Sequence, residues 1–134
     1  MSETKTVTAR GRCLCGGVAF EVSSARDVIY CHCKQCRSWH GHYIGYSACL
    51  KEDLTFLSDR TLKWFSSSGE ARRGFCGECG SSLFWQANHS PNINFVAGCL
   101  DEPTGLKSES HIFLGSAGDY YELTDTLPKY EESD

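Results

Sequence analysis

The sequence predicts a mainly β fold in a single domain of 134 residues. Short runs of β-branched and aromatic residues alternate with Gly, Ser and Asp turns, often about ten residues apart, which is typical of sheets. No window of about 12 residues or more shows a clean apolar period of 3.6, so helices should be few and short. The length suits one ordinary domain, and 40% hydrophobic residues are enough for a packed core. We expect one domain over residues 1–134 with an ordered core at about 8–130.

The predicted elements follow directly from these runs. Strands are expected over residues 18–22, 43–50, 54–57, 62–66, 82–86, 93–100 and 110–114. One short helix is expected near Cys33–Trp39. The remaining segments are predicted to be turns and loops.

The cysteine content points to thiolate chemistry or disulfides. The chain has nine cysteines, and its first ten residues are polar and lack the apolar run of about 7–15 residues of a secretory signal. It has no uninterrupted apolar stretch of about 18 residues, the length needed to span a membrane. We therefore expect a cytoplasmic, reducing setting, in which clustered cysteines bind metal rather than form disulfides.

The charge pattern argues against nucleic acid as a partner. The formal net charge is −4, and the basic residues are scattered, in pairs such as Lys34/Arg37 and Arg72/Arg73. A nucleic-acid-binding zinc domain would carry a basic stripe that neutralises phosphates. Neither a nucleic acid nor a membrane is therefore an expected partner.

Seven of the nine cysteines fall into three clusters. The clusters are Cys13 and Cys15; Cys31, Cys33 and Cys36; and Cys76 and Cys79. A C-x-x-C pair with glycines in and after it forms a tight turn that aims both sulfurs at one point. Because a structural zinc needs four ligands, the last pair requires a second pair, and the first cluster is the natural complement. We predict a structural zinc site on these four sulfurs, which staples the domain.

The middle cluster is different because its three sulfurs can hold one ion and leave a fourth position open. Three protein ligands and an open position are typical of a catalytic zinc, on which a substrate thiol becomes a nucleophile. The alternative is a closed site completed by another side chain. The candidates for that fourth ligand are His32, His40, His42, Cys49 and Cys99. Spacing alone leaves both interpretations open.

Three further residues are interpreted as part of the core. Cys49 and Cys99 lie alone in apolar runs, which favours small buried hydrophobic groups over ligands or nucleophiles. His111 precedes Ile112 and Phe113 and is predicted to be a buried histidine with a hydrogen-bonded ring.

Taken in order, the motifs resemble the glutathione-dependent formaldehyde-activating family. They are C-x-C-G-G at residues 13–17, C-H-C-x-x-C at 31–36, F-C-G-x-C-G at 75–80 and H-I-F at 111–113, with L-P-K-Y at 127–130. The resemblance implies a β-rich, tent-like fold with two zinc ions per chain. It places a structural zinc on Cys13, Cys15, Cys76 and Cys79 and a second, catalytic zinc on Cys31, Cys33 and Cys36.

The resemblance also implies an activity. Members of the founding type are carbon–sulfur lyases that condense glutathione with formaldehyde to S-hydroxymethylglutathione. The expected partners are thus a small thiol, glutathione or similar, and an aldehyde. Lys34, Arg37 or the pair Arg72/Arg73 are candidates to bind the carboxylates of glutathione, although each is also an ordinary surface charge. The family's usual lysine after H-I-F is missing from residues 115–121, which puts glutathione itself in doubt.

Two other functions are compatible with the same fold. A closed middle site would indicate a non-catalytic binding or chaperone-like module. A methionine sulfoxide reductase of the related fold would need a reactive cysteine of low pKa outside the metal sites, for which only Cys49 and Cys99 remain.

Overall fold

Strands make up about half of the described chain. The computed structural model describes residues 3–133 and shows, in that range, ten strands and one α-helix. The strands are β1 (Thr4–Arg12), β2 (Val18–Arg26), β3 (Val28–Cys31), β4 (Ile44–Leu50), β5 (Leu54–Asp59), β6 (Leu62–Ser66), β7 (Ala71–Cys76), β8 (Ser82–Ala87), β9 (Asn92–Val96) and β10 (Ser108–Ile112). The helix α1 spans Lys34–His40. The predicted fold class, mainly β with few short helices in a single domain, is confirmed.

The strands form two sheets. The smaller has the order β1-β2-β5 and the larger the order β10-β3-β4-β9-β8-β7-β6. All pairings are antiparallel except that of β10 with β3, which is parallel. β10 therefore brings the chain back along β3, the strand that leads into the middle cysteine cluster.

The core lies between the two sheets. On β2, Val18, Phe20 and Val22 alternate with more exposed residues and are fully buried, as expected for a strand with one apolar face. The Phe20 ring packs against Phe84 of β8 and Phe95 of β9, with ring centroids 5.1 and 5.7 Å apart. Burial of each such side chain stabilises the fold by about 1.5–3 kcal/mol.

The helix α1 is short because its two ends are fixed about two turns apart. The Cys33 sulfur caps its start by accepting a hydrogen bond from the backbone N–H of Cys36 at 3.3 Å. Gly41 ends it in the left-handed conformation, with φ 86°, which glycine adopts without strain. The predicted helix was correct to within one residue at each end. No helix within residues 3–133 is long and apolar enough to cross a membrane.

The strand predictions were right at their centres and failed in two ways. The strand predicted over residues 93–100 ends at Val96, because the chain turns into a short 3₁₀ helix over Ala97–Cys99. Three strands were missed: β1, β3 and β7. β1 is a polar edge strand of the smaller sheet, β3 has only four residues, and β7 carries two adjacent arginines.

Candidate metal centre

The structure brings Cys13, Cys15, Cys76 and Cys79 together. The first two lie in the turn between β1 and β2, and the other two at the end of β7 and in the turn that follows. All four sulfurs lie within 4.8 Å of one another, and Cys15 Sγ is 3.7 Å from Cys13 Sγ and 3.6 Å from Cys76 Sγ. Zinc–sulfur bonds of about 2.3 Å in a tetrahedron separate the sulfurs by about 3.8 Å, so this four-cysteine cluster fits a zinc ion.

Hydrogen bonds favour thiolates in the four-cysteine cluster. The Ser81 hydroxyl lies 3.2 Å from Cys79 Sγ and lowers the pKa of this thiol to about 5. The backbone N–H of Cys79, 3.3 Å from Cys76 Sγ, and the Thr61 hydroxyl lower the pKa of Cys76. Gly80 closes this turn with φ 79°, a conformation that residues with a side chain rarely adopt.

The four-cysteine cluster joins the two sheets. Cys15 and Cys76 are 61 positions apart in the sequence, and one pair extends from the smaller sheet while the other extends from the larger. An ion held here closes a long loop and fastens one layer of the fold to the other.

The second group, Cys31, Cys33 and Cys36, lies where β3 leads into α1. Cys31 ends the strand, Cys33 caps the helix and Cys36 lies in its first turn, so three sulfurs converge within six residues. Their sulfurs lie within 4.8 Å of one another, with Cys36 Sγ 3.5 Å from Cys31 Sγ. In residues 3–133, no other cysteine, histidine, aspartate or glutamate joins this three-cysteine cluster within that distance.

The side chains considered as a fourth ligand are engaged elsewhere. Both ring nitrogens of His32 have other partners, the hydroxyl of Tyr121 and the ring of His111. His40 Nε2 lies 2.9 Å from the Tyr46 hydroxyl, and His42 Nδ1 lies 2.8 Å from the Tyr120 hydroxyl. Neither Cys49 nor Cys99 belongs to the three-cysteine cluster. The described chain thus leaves a fourth coordination position open.

The three-cysteine cluster shares its protons unevenly. Hydrogen bonds from Cys31 and then Cys36 lower the pKa of Cys33 to about 2. The hydrogen bond to Cys33, that to Cys36 and burial raise the pKa of Cys31 far above its ordinary value. For Cys36, the hydrogen bond with Cys31 lowers the pKa, but the bond to Cys33 and burial outweigh it and raise the pKa. Without a metal, the cluster therefore carries one thiolate and two thiols.

A cavity of about 230 Å³ opens beside the three-cysteine cluster, and all three cysteines line it. Its apolar walls come from β3, β8, the end of β10 and the residue that follows it. Five polar side chains complete the lining: Arg26, Gln35, Tyr46, Arg73 and Asn94. The apolar lining residues are Ile29, Trp85, Ile112 and Phe113. The cavity gives a small molecule access to the open coordination position.

Arg73 of β7 is a buried cation at the edge of this cavity. Its side chain is 1% exposed and donates hydrogen bonds to Gln35 Oε1 at 2.8 Å and to the Tyr46 hydroxyl at 3.3 Å. Its Nη2 also lies 3.6 Å from Cys36 Sγ. None of the ion pairs in residues 3–133 involves Arg73. Because a buried charge requires compensation, the Cys33 thiolate, whose pKa Arg73 helps to lower, is its counterion.

A chain of hydrogen bonds connects the cysteine loop to the C-terminal segment. His32 Nε2 is 2.8 Å from His111 Nδ1, and His111 Nε2 is 2.8 Å from Asp125 Oδ2. His32 Nδ1 is 2.7 Å from the Tyr121 hydroxyl. Both histidines are buried, burial lowers the pKa of His32 to about 4, and His111 lowers that of Asp125 to about 2. His111 is thus a buried histidine with a hydrogen-bonded ring, as predicted.

Comparison with known proteins identifies the family. The family model described as glutathione-dependent formaldehyde-activating enzyme matches residues 8–116, most of the chain and both cysteine clusters. The chain belongs to the glutathione-dependent formaldehyde-activating enzyme family. The resemblance predicted from the motifs is confirmed.

Two relatives of this chain have low sequence identity to it. The chain is 26% identical over 88 residues to a Schizosaccharomyces pombe protein named as an uncharacterized lyase, and this match covers 64% of the chain and 63% of that relative. The chain thus matches slightly less than two thirds of the relative's length. A crystal structure of a Rhodobacter sphaeroides protein has a TM-score of 0.55 at 23% identity, covering 72% of this chain and 91% of that one. This second likeness supports the fold alone.

The remaining candidate residues lie outside the two cysteine clusters. Cys49 is fully buried and Cys99 half-buried, and burial raises the pKa of each thiol to about 12. Neither is the reactive thiol of low pKa that a reductase would need. The Cys99 thiol donates a hydrogen bond to the Val96 carbonyl at 3.2 Å.

Of the basic residues expected at the surface, one has an unexpected place. Arg72 packs its guanidinium 3.8 Å from the Trp64 ring centroid, as a side chain facing solvent can. Arg37 donates to the Ser116 carbonyl at 2.9 Å. Arg73 is buried against the cysteines, which corrects its interpretation as a surface charge. Sequence inspection offered no signal for this, because neighbouring arginines normally indicate a solvated face.

Proposed function

We propose that this protein is a zinc-dependent carbon–sulfur lyase-like enzyme that acts on thiol/aldehyde adducts. The reaction type is that which condenses glutathione with formaldehyde to S-hydroxymethylglutathione. The observation that carries the proposal is the three-cysteine cluster, which lacks a fourth protein ligand within residues 3–133 and lines a cavity. Family membership and a relative named as a lyase support the same reaction class.

Two ions have separate roles in this proposal. Cys13, Cys15, Cys76 and Cys79 hold a structural zinc, and Cys31, Cys33 and Cys36 hold a second zinc. When bound to the three-cysteine cluster, zinc supplies a Lewis acid with one free coordination position, which keeps an incoming thiol deprotonated near neutral pH.

The bond changes of the condensation balance without another reactant. The electron pair of the substrate sulfur forms a carbon–sulfur bond with the aldehyde carbon, and the carbonyl π pair moves to the oxygen. That oxygen takes up one proton, which replaces the proton lost by the thiol. The reverse sequence breaks the carbon–sulfur bond and is the lyase direction.

Arg73 has two tasks in this chemistry. Three thiolates and a divalent ion carry a net charge of −1, and a fourth thiolate from the substrate brings it to −2. The buried guanidinium, 3.6 Å from Cys36 Sγ, offsets part of that charge. Because it also lines the cavity, it can donate a hydrogen bond to the oxygen on which negative charge develops.

The Arg73 side chain is held in place by its neighbours. It donates to the Tyr46 hydroxyl, which in turn lies 2.9 Å from His40 Nε2. Burial lowers the pKa of His40 to about 4, so its neutral ring accepts the proton of the Tyr46 hydroxyl. A cavity wall fixed in this way contributes through proximity and orientation of the two reactants.

The Cys36→Ser variant tests the proposal. We expect two zinc ions per wild-type chain, one in the variant, a native circular dichroism spectrum and loss of thiol–aldehyde adduct formation. The matched control is Cys99→Ser, in which a hydroxyl replaces the thiol that donates to the Val96 carbonyl, and both ions and activity should be retained. Full activity of Cys36→Ser with a single ion would refute the catalytic role of the cluster.

Cobalt substitution separates an enzyme from a non-catalytic module. Thiolate-bound cobalt absorbs visible light, so a thiol that takes the free position should change the bands of the three-cysteine cluster and not those of the four-cysteine cluster. Bands that respond to no added thiol would favour a binding module of the same fold.

A further inference from the structure

The cavity beside the three-cysteine cluster is small. Its volume of about 230 Å³ lies below the range of about 300–1,000 Å³ of pockets that enclose drug-sized ligands. A whole tripeptide does not fit inside it.

The lining of the cavity is suited to hydrocarbon. Ile29, Trp85, Ile112 and Phe113 form its apolar walls, and neither lysine nor any carboxylate is among the residues that line it. The two lining arginines already donate hydrogen bonds, Arg26 to the backbone carbonyls of Asp27 and Tyr46, and Arg73 as described above. Four of the five Arg73 N–H groups donate to Gln35, Tyr46 and Cys36, and the fifth is the one left for the aldehyde oxygen. A carboxylate or ammonium group carried into the cavity would therefore lose its hydration without gaining a dedicated partner.

Phe113 occupies its place in the wall through an unusual backbone conformation. Its φ of 58° and ψ of 38° are left-handed, which is rare for a bulky residue. The conformation is held by a hydrogen bond from its N–H to the Glu132 carbonyl at 2.9 Å, and its own carbonyl accepts the N–H of Ser116 at 3.1 Å. Such conformations are found mainly where the surrounding structure enforces them at functional sites.

We propose that this cavity selects a small thiol with an uncharged hydrocarbon body, of about the size of phenylmethanethiol, in preference to a charged tripeptide such as glutathione. The inference rests on the proposed function, in which the sulfur of the substrate takes the free position at the three-cysteine cluster. The hydrocarbon body lies against Trp85 and Phe113, and the aldehyde carbon of the adduct lies between the sulfur and Arg73.

The test is a spectroscopic titration of the cobalt-substituted protein under anaerobic conditions. Three thiols are compared: phenylmethanethiol, its ring carboxylate 4-(sulfanylmethyl)benzoate, and glutathione. We expect phenylmethanethiol to bind about tenfold more tightly than either charged thiol, because it alone is both small and uncharged. Phenylmethanol, which has no thiol, should leave the cobalt bands unchanged.

Two variants test whether the cavity wall produces the preference among thiols. Phe113→Ala should weaken binding of phenylmethanethiol by about tenfold and bring it close to that of glutathione, because the wall that contacts the ring is lost. Leu57→Ala removes an exposed side chain of β5 in the other sheet, and we expect it to bind all three thiols as the wild type does.

The outcomes distinguish this inference from the proposed function. Glutathione or the carboxylate binding as tightly as phenylmethanethiol, or Phe113→Ala leaving the preference intact, overturns the selectivity and leaves the thiol site standing. Cobalt absorption bands that respond to none of the three thiols would overturn both the selectivity and the proposed thiol site.

Discussion

The two cysteine clusters of this molecule differ in their number of sulfurs and in their surroundings. The four-cysteine cluster has four sulfurs, joins two sheets and has hydrogen bonds from Ser81 and Thr61. The three-cysteine cluster has one sulfur fewer, belongs to a single strand and helix, and faces a cavity and a buried arginine. A closed, cross-linking set of sulfurs suits stability, whereas an open set beside a cavity suits chemistry.

The largest expected effect comes from breaking the four-cysteine cluster. Cys76→Ser should unfold the chain, because a structural zinc contributes about 10–16 kcal/mol in small zinc domains and a typical domain is stable by only about 5–15 kcal/mol. Circular dichroism at 25 °C and thermal unfolding measure this. Cys36→Ser, with the same chemical change, is the control and should keep its fold. A folded Cys76→Ser with an unchanged melting temperature would remove the distinction between the clusters.

Metal affinity should depend strongly on pH at the three-cysteine cluster. The raised pKa values of Cys31 and Cys36 mean that two protons must leave when an ion binds there, whereas Cys33 is already a thiolate. Zinc affinity should therefore rise about a hundredfold for each unit of increasing pH near neutrality. At the four-cysteine cluster the lowered pKa values of Cys76 and Cys79 reduce the number of protons released, whereas Cys15, whose pKa is raised to about 11, still releases one.

Chelator competition between pH 6.5 and 7.5, with calorimetry in buffers of different ionisation enthalpy, counts these protons. The Cys36→Ser variant isolates the four-cysteine cluster for the same measurement. A three-cysteine cluster whose zinc affinity does not change with pH would contradict the assigned thiols.

The cysteine clusters could be predicted because the spacing of their ligands is visible in short stretches of the sequence. Ligand spacing and the glycines of each turn are visible in the sequence, and the structure brings together both predicted groups, Cys13/Cys15/Cys76/Cys79 and Cys31/Cys33/Cys36. Whether each binds zinc remains a prediction. The apolar strands were visible for the same reason, because alternating burial leaves a period of two in the sequence.

What surrounds the three-cysteine cluster was not predictable, because it depends on distant contacts. Arg73 meets Gln35 across 38 positions, and His111 meets His32 across 79. In the sequence, Arg73 looks like a surface charge beside Arg72, and only the pairing of β7 in the larger sheet turns the two side chains to opposite faces. Strand β1 was missed because its edge position permits a polar sequence.

Arg73 and Arg72 offer a matched pair for the next prediction. Arg73→Met keeps most of the volume but removes the charge beside Cys36. Affinity for a thiol should therefore fall by about tenfold, or about 1.4 kcal/mol, which is close to the lower end of the range of about 1.5–3 kcal/mol for a hydrogen bond to a charged group. Arg72→Met keeps its packing on Trp64 and should behave as the wild type. Thiol titration of the cobalt protein measures both. Equal thiol affinity of the two variants would show that charge beside the cluster is unimportant.

The smallest effect is expected from the hydrogen-bond chain behind the three-cysteine cluster. Asp125 accepts the Nε2–H of His111, and we predict that His111 Nδ1 accepts the Nε2–H of His32, whose Nδ1 accepts the Tyr121 hydroxyl. Both rings should thus be Nε2–H tautomers, which nitrogen NMR reports directly. Because the pKa of Asp125 is lowered to about 2, its stabilising effect is complete near pH 7 and is lost as the pH falls from about 4 towards 2.

Asp125→Asn should therefore lower the melting temperature at pH 7 by only a few degrees, since an amide oxygen still accepts the bond from His111 and the carboxylate is 43% exposed. Asp119→Asn is the control, with the same charge change at an exposed position of the same segment. This series of hydrogen bonds is connected to the three-cysteine cluster through the backbone of His32, which lies between Cys31 and Cys33. The thiol affinity of Asp125→Asn should therefore change less than threefold. A larger change would make His32 part of the substrate site, and the three-cysteine cluster would then depend on the C-terminal segment in a way that the four-cysteine cluster does not.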